Sequence, residues 1–185
     1  GLGEGPIEAI VAGRQDSPYT DMYDFCHRVD ARKVNKRAVE ALIGSGALDN
    51  LIDERQVPDD VNPIDFKRAL LLANQHDAVK TAEQKSRNED SGLTDLFGED
   101  MMSASNESGC PYNYIEGLRC VSFKDRLNRE KDTLGLYLTG HPIDLYKKEL
   151  RYFAKTRIVD LRASKDVQTV AGLIVGLRTM KSKRG

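Results

Sequence analysis

Apolar residues recur at the three-and-four spacing of an α-helix along most of the chain. Ile7, Ile10 and Val11 follow Pro6 in this pattern, and Gly13 stands where the run stops. Pro6 suits the first turn of a helix, where its missing N–H is no loss. The glycine-rich residues before it, Gly1 to Gly5, are read as non-helical. After the loop "QDSPYTD", Thr20 or Asp21 can cap a short helix holding Met22, Phe25 and Val29. Asn35 can cap the next helix, with Val39, Leu42 and Ile43 on one face, and "GSGALD" ends it. The proline-punctuated "NLIDERQVPDDVNP" reads as a loop. A long helix then runs from Ile64 to Asn88, with Leu70, Leu71, Ala73, Ala78, Val79 and Ala82 on its buried side.

From Glu89 to Gly117 no period is visible, and the stretch reads as a linker. Within it "SGLTDLFGED" sets Leu93, Leu96 and Phe97 among polar residues with no nearby apolar face to bury them. Helical spacing returns near Phe123 and continues to Leu138 before "TGHP" breaks it. "IDLYKKELRYF" predicts a further amphipathic helix, with Ile143, Tyr146, Leu150 and Phe153 in register. The tail, "VQTVAGLIVGLRTMKSKRG", is β-branched and reads as a strand, with Gly172 and Gly176 suited to a curved barrel strand. The fold class is mainly α, in two lobes, followed by the first strand of a β domain.

Composition narrows this picture. The 185 residues suffice for one domain or two small ones, at 39% hydrophobic and 31% charged. No apolar run approaches the ~20 residues of a membrane span, so no membrane partner is expected. The opening "GLGEGPIEAI" lacks an initiator Met, and the chain is expected to be a piece of a longer protein. Cys26, Cys110 and Cys120 form no C-x-x-C pair, so reduced cytosolic thiols are expected and neither a zinc ribbon nor a disulfide framework is. A net charge of −1 excludes a polycation, but basic residues cluster. Arg32, Lys33, Lys36 and Arg37 form one group, Lys124, Arg126, Arg129 and Lys131 a second, and Arg178, Lys181, Lys183 and Arg184 a third. Each can serve a phosphate, but taken alone each reads first as a solvated face or loop.

Two glycine turns, "GLGEGPI" and "LIGSGALD", give the basic residues a context. A helix, a short glycine turn and a second helix make a helix-hairpin-helix unit. Its glycines admit a phosphate close to the backbone, and turn amides at a helix N-terminus point at the anion. Such contacts position a duplex without reading its sequence. In the first unit the donors are the amides of Gly1, Gly3 and Gly5. In the second they are those of Gly44, Gly46 and Ala47, with Lys33, Lys36 and Arg37 nearby. Glu4 and Glu8 lie beside the first turn and oppose phosphate.

The strings "GLGEGPIEAIVAGR", "DFCHRVDARKVNKRAVEALIGSGALDNL" and "KDTLGLYLTGHPIDLYKKEL" together resemble the catalytic alpha-subunit family of bacterial DNA polymerase III. "TVAGLIVGLRTMKSKRG" resembles the opening of that family's OB domain. The likeness covers nearly the whole chain apart from parts of 52–63 and 98–122. It implies a tandem helix-hairpin-helix DNA-binding domain over 1–88 and a flexible linker over 89–117. A helical connector over 118–165 and the start of a truncated OB-fold over 166–185 follow. It also implies cytoplasmic, bacterial DNA replication, with primer–template duplex DNA, the β sliding clamp and other holoenzyme subunits as partners. The family's catalytic carboxylates lie upstream of this region. The segment itself is therefore expected to be inactive and without a cofactor or metal, although the parent polymerase would use magnesium. Asp59, Asp60 and Asp65 then read as a solvated acidic loop.

The resemblance also accounts for the apolar residues in the linker. The family carries an internal clamp-binding peptide: a glutamine, two variable positions, an aliphatic residue and Phe. The matching residues are Leu93, Thr94, Asp95, Leu96 and Phe97, with Leu96 and Phe97 as anchors. Leu93 stands where the glutamine is usual. Loss of its amide is expected to cost roughly 1–3 kcal/mol if the groove's polar partners go unpaired. Two other readings remain open: a structural brace between fingers and OB domain, and the same region of a related error-prone polymerase. His141 is read as a capping or loop residue, and His27 and His76 as surface residues.

Overall fold

The computed structural model describes residues 2–90, 112, 117–154, 156–174 and 176–180. The chain divides into two compact units, Gly1–Tyr137 and Leu138–Gly185. Among the described residues of the first, five helices surround one core: α1 Glu4–Gly13, α2 Met22–Arg28, α3 Lys36–Ser45, α4 Pro63–Asp90 and α5 Phe123–Leu134. Two 3₁₀ turns, Asp49–Leu51 and Glu54–Gln56, bridge α3 and α4.

Local chemistry sets most of these boundaries. Asp21 caps α2, its carboxylate accepting from the Tyr23 and Asp24 amides, and Asn35 caps α3 by accepting from Ala38. Asn62 accepts from Asp65 at the start of α4, which opens one residue before the expected Ile64, at Pro63. Proline is pre-organised for that position. α1 begins at Glu4, so Gly5, expected outside the helix, lies within it. Pro6 still falls in the first turn, where no N–H is needed.

α4 is the backbone of the unit and packs against both α2 and α3. Phe66, Leu70, Leu71, Ala78, Val79 and Ala82 are buried along it, facing Met22, Phe25, Val39, Ile43 and Ile52. Ala73, expected on this face, is only half-buried, and its neighbours Asn74 and Gln75 are buried instead. Arg28 ties the end of α1 to α2, donating to the carbonyls of Gly13 at 2.6 Å and Ser17 at 2.7 Å.

Tyr112 lies in the stretch expected to be linker, yet its side chain is part of this core. Its hydroxyl accepts from the Met22 amide at 3.0 Å and donates to the Leu51 carbonyl at 3.2 Å. α5, which the sequence places in the connector, packs on α3 within the same unit. The helix expected to run to Leu138 stops at Leu134, because Gly135 takes a left-handed conformation at φ 78°.

In the second unit the single helix expected over 143–153 is divided. A 3₁₀ segment, Pro142–Tyr146, leads into α6, Lys147–Phe153. His141 is the cap: its Nδ1 accepts from the Ile143 amide, and Asp144 accepts from the His141 amide at 2.9 Å. A last 3₁₀ turn spans Ile158–Asp160. Among the described residues no strand forms, including 166–174 and 176–180, where the first OB strand was expected. A strand is held by a ladder of hydrogen bonds to a neighbour, and no described residue provides one. Val167, Ile174 and Leu177 stand exposed.

Candidate nucleic-acid interface

The first glycine turn leads into α1 without a side-chain cap. Gly3 is the N-cap and has no side chain to offer. The first backbone bond of the helix, from the Ile7 amide to the Gly3 carbonyl, is long at 3.4 Å. The amides of Glu4 and Gly5 belong to the turn that has no intrahelical partner by geometry. A Cβ placed at Gly5 would meet no heavy atom within 4 Å, so the approach to this turn is open. Glu4 is exposed in the first turn and sets a negative charge against the helix dipole's positive end. Gly1 lies outside the described residues.

The second turn is built differently. Gly46 adopts φ 83° and ends α3. Its amide donates to the Ile43 carbonyl at 3.0 Å, and the Ala47 amide donates to the Leu42 carbonyl at 3.0 Å. That pair of bonds is a Schellman cap, which satisfies α3's own terminal carbonyls. Gly44 lies inside α3 and is buried. A Cβ there would press on the Arg129 Cβ at 3.4 Å and the Thr133 methyl at 3.5 Å, so Gly44 marks where α3 and α5 approach. The expectation that Gly44, Gly46 and Ala47 offer free amides is therefore corrected. The amides of Gly46 and Ala47 close the helix, and Gly44 serves packing.

Beneath this turn sits a charge that the sequence reading missed. The Arg68 guanidinium, 2% exposed, pairs with Glu130, which is 0% exposed, at 2.8 Å. It also reaches Asp49 at 3.1 Å through Nη2, and donates to the Gly44 carbonyl at 3.4 Å. The three partners belong to α5, the 3₁₀ turn and α3, so one side chain of α4 ties all four segments together. Burial raises the Asp49 carboxyl above its ordinary value, with Arg68 hydrogen bonding and charge opposing. Beside it, Arg126 holds Asp65 at 2.8 Å and the Asn62 side chain at 3.0 Å. Asp65 is thus buried on α4 and is not part of a solvated loop; Asp59 and Asp60 are exposed. Lys67, also buried, pairs with Glu54.

The basic clusters separate by the same criterion. Lys36 and Arg37 are exposed in the first turn of α3, and Lys33 is exposed in the turn before it. In the second cluster Arg126 is buried, Arg129 pairs with Glu40 at 3.2 Å, and Lys131 donates to the Gly135 carbonyl at 2.7 Å. Of the third, Arg178 is exposed, and Lys181, Lys183 and Arg184 lie outside the described residues. The clamp-like residues Leu93, Thr94, Asp95, Leu96 and Phe97 also lie outside them. Burial pushes the Cys26 thiol up to about 12, leaving it a core residue with no thiolate character near neutrality.

A signal for Arg68 was present. Ile64, Arg68, Leu71 and Gln75 share one helical stripe, as do Leu127, Glu130 and Leu134. A charge on an apolar stripe points to a buried pair, but the stripe does not name the partner. Among the described residues no three His, Cys, Asp or Glu side chains gather as metal ligands, and no helix is long and apolar enough to cross a membrane.

Comparison with known proteins adds a family to this geometry. Residues 1–57 match the helix-hairpin-helix motif family, a span that contains both glycine turns. The whole chain is similar to the DNA polymerase III subunit alpha of Pseudomonas fluorescens, 50% identical over 188 residues and spanning 16% of that protein. The corresponding protein of Pseudomonas aeruginosa is 49% identical over 190 residues, again with 16% of its length covered. That of Escherichia coli K12 is 38% identical over 191 residues, with 15% covered. Along its full length, the chain belongs to the DNA polymerase III subunit alpha family.

Proposed function

We infer that this chain is the part of a bacterial replicative DNA-directed DNA polymerase that grips the backbone of the primer–template duplex behind the active site. The observation that carries this reading is the helix-hairpin-helix match over residues 1–57. Its first turn opens onto α1 through Gly3 and Gly5, where a phosphate can accept from amides that lack intrahelical partners. The exposed Lys33, Lys36 and Arg37 add charge from the start of α3 and the turn before it. These side chains lie at the opposite end of α3 from the second turn, whose own amides are used in closing the helix. The polymerase's magnesium-dependent chemistry belongs to carboxylates outside this segment, so the segment binds and does not catalyse.

On the same reading Leu93 to Phe97 tether the polymerase to the β sliding clamp, and residues 166–185 begin an OB-fold. Other holoenzyme subunits are the remaining partners, in the bacterial cytoplasm. Anisotropy of a labelled primer–template duplex, titrated at several salt concentrations, tests the DNA half. Lys36→Ala with Arg37→Ala is expected to lower the salt slope by about 2, near 0.9 for each phosphate contact. Undetectable duplex binding at low salt would instead favour a brace role. Leu96→Ala with Phe97→Ala is expected to abolish association with purified clamp; unchanged affinity would remove the tether half.

The buried Arg68 buttress favours one addition. A turn tied so firmly to its neighbours suits a scaffold that holds the duplex contacts in place.

A further inference from the structure

The basic start of α3 is held by main-chain grips from α4. Gln75, 4% exposed, donates from Nε2 to the Lys36 carbonyl at 2.6 Å. Arg68 reaches the Gly44 carbonyl near the other end of the same helix. The two helices therefore run antiparallel, with Lys36 beside Gln75 and Gly44 beside Arg68. Gln75 and Arg68 lie seven residues apart, which is two turns or about 10 Å of helix. The carbonyls they hold lie eight residues apart, about 12 Å. The spacings match, so α4 acts as a splint along α3.

The two grips differ in what they complete. The Gly44 carbonyl is in the last turn of α3, where no intrahelical donor exists, so Arg68 satisfies an acceptor that would otherwise lack a partner. The Lys36 carbonyl already serves the first turn of α3, and Gln75 takes its second lone pair. A buried amide spent on an acceptor that is already served fixes position more than it fills a deficit. The residue whose backbone it fixes carries one of the exposed basic side chains, and Arg37 follows directly.

We propose that Gln75 is a positioning residue for duplex contact: its hydrogen bond to the Lys36 carbonyl sets the placement of Lys36 and Arg37 on the phosphate backbone. The proposal rests on the duplex reading above. Gln75→Met keeps the side-chain volume and removes the donor. Gln75→Asn keeps an amide but shortens it beyond reach, and serves if the first variant folds poorly by circular dichroism.

The test is a double-mutant cycle on the full chain, read by anisotropy of a labelled primer–template duplex across a salt series. In the parent background, loss of the donor is expected to weaken binding about three- to ten-fold and to flatten the salt slope. In the Lys36→Ala, Arg37→Ala background it is expected to add nothing, because there is no contact left to place. An equal loss in both backgrounds, or no loss in the parent, overturns the proposal while leaving the duplex reading intact. Absence of duplex binding by the parent chain overturns both.

Discussion

Two glycine turns of nearly the same composition are built for different purposes. The second is closed from within. Its amides bond back to α3, its Gly46 is left-handed, and the Arg68 guanidinium fills the space below it. The first is open: no side chain caps α1, and nothing lies within 4 Å of a Cβ placed at Gly5. Glycine at the second turn is demanded by the protein's own backbone and neighbours. At Gly5 a Cβ would meet no heavy atom within 4 Å, and the backbone is helical, so no such demand is visible among the described residues. A glycine turn in a sequence is thus a question, and the carbonyls its amides serve supply the answer.

The contrast can be broken most severely at Arg68. Arg68→Ala would leave the fully buried Glu130 carboxylate without its cation, and is expected to cost about 3–5 kcal/mol in urea unfolding. Arg68→Met paired with Glu130→Met removes both charges together and should cost far less. If the single and double variants prove equally unstable, the buried pair is not what holds the second turn.

Glycine substitutions give the next largest effect, with opposite signs at the two turns. Gly46→Ala sets a Cβ in a left-handed backbone and against the Arg68 guanidinium and the Asp49 carboxylate at 2.9 Å. A loss of about 1–3 kcal/mol is expected. Gly5→Ala, in the first turn of α1, is expected to be neutral or to stabilise by up to about 1 kcal/mol. Thermal unfolding of the two variants side by side checks both; a similar loss at both positions would erase the distinction.

The smallest effect lies in pH. Burial raises the Asp49 carboxyl above the ordinary 3.8, against the opposing pull of Arg68. The folded state then holds a proton at pH values where the unfolded chain has released it. That contribution to stability is fully present below 3.8 and is lost as pH rises through the folded-state value. Relative to Asp49→Asn, the parent chain should therefore lose stability across that window and run parallel above it. A difference that does not change with pH would mean that Asp49 titrates alike in both states.

Short-range signals were legible in the sequence because their chemistry is local. Asp21 and Asn35 cap helices within three residues of their own positions, and Gly46 ends α3 against carbonyls four and three residues back. The apolar stripe of α4 named most of its core for the same reason. Tertiary pairings were not legible. Arg68 and Glu130 are separated by 62 residues, and Tyr112 reaches Met22 across 90. Each has a spacing that only the packed chain defines. The amides of Gly46 and Ala47 were misassigned because a Schellman cap and a phosphate-binding turn use the same residue types. They differ only in where the N–H groups point.

Duplex affinity of Gly5→Ala, measured beside the parent chain by anisotropy at matched salt and with matched thermal midpoints, tests the central distinction most directly. An open, ligand-facing first turn predicts binding weakened several-fold with no loss of stability, since the added methyl meets only the incoming phosphate. Unchanged affinity in a stably folded Gly5→Ala protein would contradict it.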